Sequence, residues 1–528
     1  MHDRGRRGRL EAIGSDHPVV LRVVLITRAL VVHQPTAVDP AGVPIGEKPR
    51  EVVAVPVRVI VRIDDRHRVV DLPGLTTACN DARAYQLPAF VLGFSPCGGA
   101  LRQLSYAGQE GHRDMSTVRM GGEQWKKPGW WVSPHNFSAE ALRSAHPPAR
   151  PALHEVLLRE AYMAPGVIIS HAGALRIVEA FASVGLSRVE AATFMPWAPR
   201  EDDTRLVSAL LREFPALRIA VVCGEDSESI DAAADLGVKE IAIAAYTSDI
   251  LLEKASHHSR EQLLDLGRKA VSHGKSKGLV VRYMLSDIGK TDLGFLREVI
   301  RAVADDAGGD AVVLTDSNGL LAPHAYAYLV RAARRATHVP IEAHCHNGYG
   351  LANANAVACY LAGAEVIHTS FNGIGGLSGS NPATEEMAMC LTAMYGADLG
   401  LDLGRLAAAS DVVAAVTRVP LPPVKPIVGS FVGAWEFADK LLTMPEMRSA
   451  TMPFLPEAVG RADRVVLGQA SDIAAIEIRL RDLGRSASVR DMEAIRGDVR
   501  AAAREKGRLL EAREFAAIVD RILGPAPS

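Results

Sequence analysis

Residues 342–364 read EAHCHNGYGLANANAVACYLAGA and contain two histidines, His344 and His346, that are separated by one residue. They follow the short apolar run at 339–341, which is typical of the last part of a strand. Side chains at positions i and i+2 of a strand lie on the same face, so both imidazoles would point together while Cys345 points away. Two such imidazoles can share one divalent ion, and a carboxylate from another strand would complete a two-histidine, one-carboxylate site.

Short apolar strands alternate with amphipathic helices on both sides of this stretch. The predicted strands span residues 153–158, 188–193, 218–222, 240–244, 279–285, 311–315, 340–343 and 365–369. Eight strands that are each followed by a helix predict the α/β class and a (β/α)8 TIM barrel. A doubly wound open sheet is the alternative, but its first strand is usually followed by a glycine-rich turn. The first turn here, REAYMAPGV, contains no GxGxxG motif.

The barrel is predicted to occupy residues 150–397, with other segments on either side. Residues 398–528 contain the proline-rich stretch PLPPVKPIVG and two final helices, and predict a linker with a small, mostly helical C-terminal subdomain. Residues 115–149 would form an N-terminal arm. Residues 1–114 are a poorly defined extension, either a small β-rich segment or non-native coding sequence that precedes a translation start at Met115 or Met120.

The content of 48% hydrophobic and 23% charged residues is typical of a soluble globular protein. The formal net charge of −2 gives no reason to expect nucleic acid or an anionic membrane as a partner. No apolar run is long enough to predict a transmembrane helix. The six cysteines form no CxxC pair, so we expect a reducing cytoplasm rather than a disulfide scaffold.

Polar residues stand at the predicted ends of five strands. Because the active site of a TIM barrel lies at the carboxyl ends of its strands, these side chains are expected to meet. They are Arg159, Glu160, Glu190, Thr193, Thr315, Asp316, His344, His346, Asn347 and Asn372. Glu160 is the nearest candidate for the carboxylate ligand, and Asp316 is the alternative. His257 and His258, which stand at the start of a helix, are interpreted as solvated.

Several motifs together resemble those of one family of barrels. They are the stretch 342–376 with GSNPATEE after it, LLREAYMAPGVIIS at the first strand, VGLSRVEAATF at the second and LTDSNGLLAPHA at the sixth. With them, the chain from about residue 130 to residue 522 resembles the metal-dependent aldolase barrels. That superfamily includes isopropylmalate, homocitrate and citramalate synthases and hydroxymethylglutaryl-CoA lyase. The linker and the helical subdomain resemble those of the synthases rather than the lyase.

The resemblance implies a divalent-metal-dependent enzyme that makes or breaks a carbon–carbon bond. The preferred reaction is a Claisen-type condensation of acetyl-CoA, or a similar acyl-CoA, with a 2-oxo acid. Aldol cleavage of the hydroxymethylglutaryl-CoA lyase kind is the alternative, and a non-catalytic metabolite-binding barrel is the second alternative. The metal would be Mg²⁺, Mn²⁺ or Zn²⁺, acyl-CoA would be the cosubstrate, and the chain is expected to form a homodimer.

The resemblance also assigns roles to individual residues. The implied metal ligands are His344, His346, Asn381 and Glu160, which stands where the family has an aspartate. Arg159 would hold a carboxylate or enolate oxygen. Glu190 matches a glutamate of the family, and Thr315 and Asp287 are predicted with it as catalytic residues. From their places at strand ends and in the loop after the eighth strand, Thr193, Asn347, Asn372, Gly375 and Gly376 are predicted to bind substrate or cofactor, the two glycines letting the backbone approach a phosphate or thioester.

The chain departs from the family at four positions. Besides Glu160, Leu377 stands where the lyase has a cysteine, and Ser286, beside Asp287, stands where the synthases have a glutamate. Ala438 stands where the subdomain of the synthases has a histidine. The metal-binding half of the site is thus mostly kept, while the acid–base half of both chemistries is altered.

Overall fold

The structure is a computed structural model that describes residues 22–25, 58–63, 66–71, 125–195, 200–376, 379–443, 448 and 452–525. The chain divides into two compact units, Met1–Gly111 and His112–Ser528. In the first unit, strands β1 (Arg22–Leu25), β2 (Arg58–Ile63) and β3 (Arg66–Asp71) form an antiparallel sheet. Met115, Met120 and Leu377 lie outside the described residues, so the predictions that concern them stay predictions.

Eight parallel strands among the described residues of the second unit close into a barrel, which confirms the predicted fold. A short antiparallel pair, β4 (Lys126–Lys127) and β5 (Trp130–Trp131), precedes them. The barrel strands are β6 (Ala152–Glu155), β7 (Arg188–Thr193), β8 (Arg218–Cys223), β9 (Glu240–Tyr246), β10 (Val280–Ser286), β11 (Ala311–Asp316), β12 (Ile341–Cys345) and β13 (Val366–Thr369). Each strand pairs with the next in the chain, and β13 pairs with β6, His368 opposite His154, to close the barrel.

Helices follow every barrel strand, and local capping explains where several of them begin. They are α1 (Leu157–Ala161), α2 (His171–Val184), α3 (Arg200–Glu213), α4 (Ser227–Asp235), α5 (Asp249–Leu251), α6 (Arg260–Ser276), α7 (Leu293–Ile300), α8 (Pro323–Arg334), α9 (Ala352–Leu361) and α10 (Thr384–Tyr395). Ser259 and Gln262 form a reciprocal capping box at the start of α6. Pro323 begins α8, where its missing N–H costs no hydrogen bond.

The first strand is shorter than predicted, and this changes the setting of two site residues. The expected strand 153–158 ends at Glu155, whose Oε1 accepts the backbone N–H of Leu157 at 3.1 Å. The chain then turns into α1, where the Glu160 N–H donates to the Val156 carbonyl at 2.9 Å. Arg159 and Glu160 therefore project from a helical turn above the strand, and the prediction that they end the strand was wrong.

Buried ion pairs fill the amino-terminal part of the barrel interior. The Arg282 guanidinium, which is 1% exposed, pairs with Glu240 through Nε at 3.0 Å and with Glu342 through Nη1 at 3.1 Å. Arg188 Nη2 pairs with the same two carboxylates at 2.7 and 3.1 Å. Since an isolated buried charge is costly, each of these ions depends on its partners.

An apolar layer lies in the barrel interior toward the carboxyl ends of the strands. It consists of Val222, Ala242, Met284 and Val313, with Met195 and Ala244 packed against it. On β10, Arg282 and Met284 are two residues apart, so both side chains point to the same face of the strand. The inner face of β10 therefore passes directly from the ion-paired layer to the apolar layer. This layer forms the base on which the candidate site rests.

The C-terminal region has a small core of its own. Its elements are α11 (Leu406–Thr417), β14 (Ala434–Trp435), α12 (Asp439–Thr443), β15 (Arg464–Val465), α13 (Ile473–Asp482), α14 (Val489–Lys506) and α15 (Ala512–Leu523). Ala438, Leu467, Ile476 and Phe515 are buried together in this core. The position at which the related synthases are expected to carry a histidine is thus a core alanine. None of the described helices is long and apolar enough to cross a membrane.

Glu155 is a buried carboxyl group that links the end of β6 to the rest of the barrel rim. Its Oε1 also accepts the Phe371 N–H at 3.1 Å, and its Oε2 accepts the Thr384 hydroxyl at 2.5 Å. Burial raises the pKa of Glu155 to about 8, although these hydrogen bonds oppose the shift. The folded protein therefore binds this proton more tightly than the unfolded chain does.

Glu155→Gln should make the free energy of unfolding less dependent on pH. The contribution of the neutral carboxyl group is complete below the ordinary glutamate pKa of 4.5 and is lost as the pH rises through about 8. Relative to the variant, the free energy of unfolding of the wild type should fall by up to about 1.4 kcal/mol per pH unit between these two pH values. Urea titrations at several pH values measure this difference. Glu253→Gln, at an exposed position, is the matched control, and a difference between Glu155→Gln and wild type that does not change with pH would contradict the prediction.

Candidate metal centre

Glu160, His344 and His346 meet at the carboxyl end of the barrel, as the sequence predicted. Glu160 comes from α1, His344 from β12, and His346 from the residue directly after β12. His344 Nε2 lies 3.2 Å from Glu160 Oε1, and His346 Nε2 lies 3.6 Å from Glu160 Oε2. One ligand atom from each of the three buried residues lies within 4.8 Å of the others. This is a compact two-histidine, one-carboxylate set.

The imidazoles are oriented so that their Nε2 atoms face Glu160. His344 Nδ1 lies 3.0 Å from His368 Nδ1, and His346 Nδ1 lies 3.0 Å from the Asp316 carbonyl oxygen. His368 Nε2 in turn contacts Glu342 Oε2 at 2.9 Å. Contacts of this kind at the second ring nitrogen commonly orient histidine ligands of metal ions.

Asp316 is the alternative carboxylate ligand, but its carboxylate accepts hydrogen bonds from the backbone of the loop after β11. Its Oδ1 accepts the N–H of Leu320 at 3.0 Å, and its Oδ2 accepts the N–H of Leu321 at 2.9 Å. Its side chain therefore shapes the loop, while its carbonyl oxygen faces His346. Of the two candidate carboxylates, Glu160 is the one that lies beside both imidazoles.

The charge state of the three side chains suits a divalent cation. Burial opposes ionisation of Glu160, but Arg159 and the two imidazoles outweigh it and hold its pKa well below the ordinary range. Burial lowers the pKa of His344 to about 3, so its ring is neutral at physiological pH. Metal ions bind ionised carboxylates and neutral imidazoles. Glu160 Oε1 is ion-paired with Arg159, and each carboxylate oxygen faces an imidazole Nε2, so a shared cation would bind between the carboxylate and the two rings.

Asn381 lies beside the three side chains. Its Nδ2 is 3.1 Å from His344 Nε2 and 3.1 Å from the Cys345 carbonyl oxygen. Its Oδ1 is buried and has no hydrogen-bond partner in the described part of the chain. Since the two ends of an amide are assigned from such contacts, a turn of the group would bring Oδ1 toward a bound cation.

Two glycines of the loop after β13 press against this centre. A Cβ atom at Gly375 would lie 2.5 Å from Glu160 Cβ, and one at Gly376 would lie 2.8 Å from His346 Cδ2. Both residues have positive φ angles, 133° and 70°. The sequence predicted that these glycines admit a phosphate or thioester; the structure gives them a packing role against the candidate ligands.

Arg159 connects the centre to the barrel interior. Its Nε donates to Glu190 Oε1 at 2.7 Å, and its Nη1 forms an ion pair with Glu160. Its Nη2 has no hydrogen-bond partner among the described residues. Glu190 is fully buried, and its Oε2 lies 3.5 Å from both His154 Nε2 and Arg282 Nη2. The geometry thus has Glu190 holding Arg159 in place.

A cavity of about 680 Å³ opens beside the centre. Its polar wall includes Arg159, Thr193, Thr315, His344 and His346. Its apolar wall includes Met163, Met195, Val222, Ala244 and Met284. The Thr315 hydroxyl is buried and has no hydrogen-bond partner in the described residues, so it can bind a ligand oxygen. The cavity therefore offers fixed polar groups on one side and an apolar surface on the other.

Asp287, a predicted catalytic residue, is held by its own loop. It has a φ of 67°, and its carboxylate accepts hydrogen bonds from the Ser248 hydroxyl at 2.6 Å and from Lys290 Nζ at 2.8 Å. Ser286, the residue before it, lines the cavity. The carboxylate of Asp287 is thus engaged in shaping the loop after β10.

Asn347 and Asn372, predicted to bind substrate, also make contacts within loops. Asn347 Oδ1 accepts the Ala352 N–H at 3.0 Å at the start of α9. The Asn372 N–H donates to Glu385 Oε2 at 3.0 Å, and its Nδ2 donates to the Ser410 carbonyl at 3.0 Å. These bonds place both amide groups in the framework of the rim.

Several residues that line the cavity did not enter the predicted site, among them Glu225, Asp226 and His258. Glu225 and Asp226 follow β8, and His258 follows the turn after α5. The strand-end rule applied to CGED at 223–226 points to the first two. His258, which was interpreted as solvated, is half-buried, and its Nδ1 has no hydrogen-bond partner among the described residues. His257, by contrast, is exposed.

These features define a class, a TIM barrel with a candidate divalent-metal site of two histidines and one carboxylate at its carboxyl end. The chain belongs to the HMGL-like family, whose sequence profile matches residues 150–413. It is 32% identical over 396 residues to the homocitrate synthase AksA of Methanothermobacter thermautotrophicus, covering 75% of this chain and 99% of that one. It is 28% identical over 389 residues to the 2-isopropylmalate synthase of Methanocaldococcus jannaschii, covering 73% and 74%.

Among solved structures, the hydroxymethylglutaryl-CoA lyase of Pseudomonas aeruginosa is similar to the barrel. The two share 25% identity with a TM-score of 0.47, over 52% of this chain and 95% of that one.

Glu160→Ala and His344→Ala should each remove the divalent ion. The purified wild type, dialysed against Mn²⁺ or Zn²⁺, should retain about one ion per chain, because all three ligands converge on one point. Each variant should bind the ion at least about 100-fold more weakly, since loss of even an orienting partner costs 10–100-fold. Elemental analysis and calorimetry provide the measurement. His258→Ala is the control that should keep the ion, and metal content unchanged in the two ligand variants would refute the centre.

Gly376→Ala should weaken metal binding, while Gly350→Ala should not. Both positions have φ near +70°, so both variants incur a similar backbone penalty of about 1 kcal/mol. A Cβ at Gly376 meets the His346 ring at 2.8 Å, whereas a Cβ at Gly350 meets nothing within 4 Å. Metal affinity measured on the pair therefore isolates contact with the ligands from backbone strain. Equal affinities would show that the loop does not support the centre.

Proposed function

We propose that this chain catalyses a divalent-metal-dependent, Claisen-type condensation of acetyl-CoA, or a similar acyl-CoA, with a 2-oxo acid. The observation that carries the proposal is the convergence of Glu160, His344 and His346 beside a mostly apolar cavity that Arg159 and both histidines line. The similarity to a homocitrate synthase and a 2-isopropylmalate synthase over about three quarters of the chain supports it.

Glu160, His344 and His346, with Asn381 in reach, would hold the Mg²⁺, Mn²⁺ or Zn²⁺ ion, which supplies a Lewis acid for the 2-oxo carbonyl. Arg159 points its unpaired Nη2 as a donor for the carboxylate of the acid, and Glu190 keeps that guanidinium oriented. A guanidinium that is held on both sides loses little freedom when the substrate binds.

Thr315 and the apolar wall would receive the rest of the 2-oxo acid. The buried hydroxyl of Thr315 offers a further hydrogen bond to the carboxylate. Val222, Ala244 and Met284 present an apolar surface suited to an aliphatic chain. Which 2-oxo acid and which acyl donor fit is the finer part of the proposal, and the homodimer and the cytoplasmic location stay predictions.

The overall reaction consumes one water. The acyl thioester loses an α-proton, its α-carbon bonds to the carbonyl carbon of the 2-oxo acid, and the carbonyl oxygen becomes a hydroxyl. Hydrolysis of the thioester then releases coenzyme A with a free thiol. The site must therefore contain a group that accepts a proton from carbon.

A panel of 2-oxo acids tested with acetyl-CoA and Mg²⁺ or Mn²⁺ should show thiol release with at least one acid. A thiol reagent measures the rate. Arg159→Lys should lower kcat/KM by about 10²-fold or more, because it keeps the charge but loses the planar donor pair. The Glu160→Ala variant serves as the metal-free control.

The alternatives give different results in the same panel. Cleavage of hydroxymethylglutaryl-CoA without any condensation would indicate the lyase reaction. Metal-dependent binding of 2-oxo acids without turnover of any substrate would indicate a non-catalytic metabolite-binding barrel. Either result would overturn the condensation.

A further inference from the structure

The loop after β8 brings two carboxylates into the cavity wall, Glu225 and Asp226. Asp226 is the N-cap of α4, where its Oδ1 accepts the Ser229 N–H at 2.7 Å and its Oδ2 accepts the Ser229 hydroxyl at 3.0 Å. Both of its oxygens are therefore used to start a helix. Glu225 does not cap a helix. Of the two carboxylates in this wall, it is therefore the one that can exchange a proton with a ligand.

Tyr283 holds Glu225 in the wall. Its hydroxyl donates to Glu225 Oε1 at 2.7 Å, and this bond joins β10, which carries Tyr283, to the loop after β8, with β9 between them. The phenol is fully buried, and it occupies a slot left by Gly267 on α6, where a Cβ would lie 2.8 Å from the hydroxyl oxygen. A carboxylate that is fixed in this way points in one direction before any substrate arrives.

We propose that Glu225 is a catalytic acid–base residue of this cavity and that Tyr283 is its positioning residue. The proposal rests on the condensation proposed above and names the proton acceptor which that reaction needs. It accounts for a site in which Ser286 carries no carboxylate and Asp287 is engaged by Ser248 and Lys290.

The environment of Glu225 suits such a role. Burial raises the pKa of Glu225 to about 7, while the hydrogen bond from Tyr283 opposes the shift. A group with a pKa near the working pH can both accept and return a proton. The other titratable or charged side chains that line the same cavity are Arg159, Asp226, Tyr246, His258, His344 and His346.

In the condensation, the Glu225 carboxylate takes a proton from the α-carbon of the acyl thioester. The electron pair of that C–H bond forms the new bond to the carbonyl carbon of the 2-oxo acid, and the π pair of the carbonyl moves onto its oxygen. That oxygen takes a proton, which the protonated Glu225 can return. Water then displaces the thiol, so atoms and charges balance.

Glu225→Gln keeps the size of the side chain and an acceptor for the Tyr283 hydroxyl, but it cannot take a proton. We expect kcat to fall by 10²–10⁴-fold. Bound metal and the KM for the 2-oxo acid should stay close to wild type. If Glu225 is the base, its titration gives the pH–rate profile of the wild type a limb near pH 7. In Glu225→Gln that limb should disappear. If kcat and the limb persist in Glu225→Gln, or if the limb is lost in His258→Gln instead, the proposal is wrong.

Tyr283→Phe tests the positioning role. Because the hydrogen bond from Tyr283 lowers the pKa of Glu225, its loss should move the limb to higher pH while the carboxylate remains. A purely structural tyrosine would change stability or kcat without moving the limb. An unmoved limb in Tyr283→Phe would therefore overturn its assignment.

A labelling experiment separates failure of this proposal from failure of the proposed function. Water-soluble carbodiimide with a small amine labels protonated carboxyl groups, and peptide mass spectrometry follows Glu225 in the metal-loaded wild type against pH. Labelling should fall with a midpoint near 7, and the midpoint should rise in Tyr283→Phe. A midpoint near the ordinary 4.5 in an active enzyme would overturn the role of Glu225 alone. A midpoint near 7 with every 2-oxo acid inactive would overturn the condensation, and would still support Glu225 as the proton-exchanging group of the cavity.

Discussion

The carboxylate of Glu160 is buried between Arg159, His344 and His346, and the carboxyl end of the barrel is built around that charge. An uncompensated carboxylate in this position would protonate or would destabilise the fold. Its neighbours are therefore restricted to one guanidinium and two imidazoles, each held from behind by further polar groups. The arrangement that stabilises the buried charge also places two imidazole Nε2 atoms beside its oxygens, as a shared cation would require.

Close backbone packing limits what can surround this charge. The loops after β11 and β12 touch through glycine, since a Cβ at Gly348 would lie 2.2 Å from the Asn318 carbonyl oxygen. Gly375 and Gly376 bring the loop after β13 equally close to the ligands. Any side chain at these positions would displace the backbone that orients His346. The backbone is thus closely packed next to the candidate metal centre, and the two histidines of that centre also line the cavity.

The two sides of the site were not equally accessible from the sequence. The histidine pair with one intervening residue was enough to predict that His344 and His346 point together, because strand periodicity is local. The expected barrel layout then pointed to Glu160 as the nearest carboxylate. Glu225 was missed although the strand-end rule reaches it, and its contact with Tyr283 joins distant segments. His258 was missed because its partial burial arises between distant segments. Asp287, Asn347 and Asn372 were assigned to chemistry on their motifs, but each is used to shape a loop. A polar residue at a strand end can either contact a ligand or hydrogen-bond within a loop. Only the partners of its side chain in the folded protein distinguish these two roles.

Sequence alone determined the barrel, because alternating strands and helices leave a periodic pattern, and seven of the eight strands end within two residues of their predicted ends. It also carried the family resemblance and predicted the three side chains that meet as candidate ligands. Tertiary structure decided where the first strand ends, since the Glu155 carboxylate accepts the Phe371 N–H from 216 residues away. It likewise decided which carboxylates face the cavity. These outcomes depend on burial and on pairing between distant segments, and neither leaves a signal in the local order of residues.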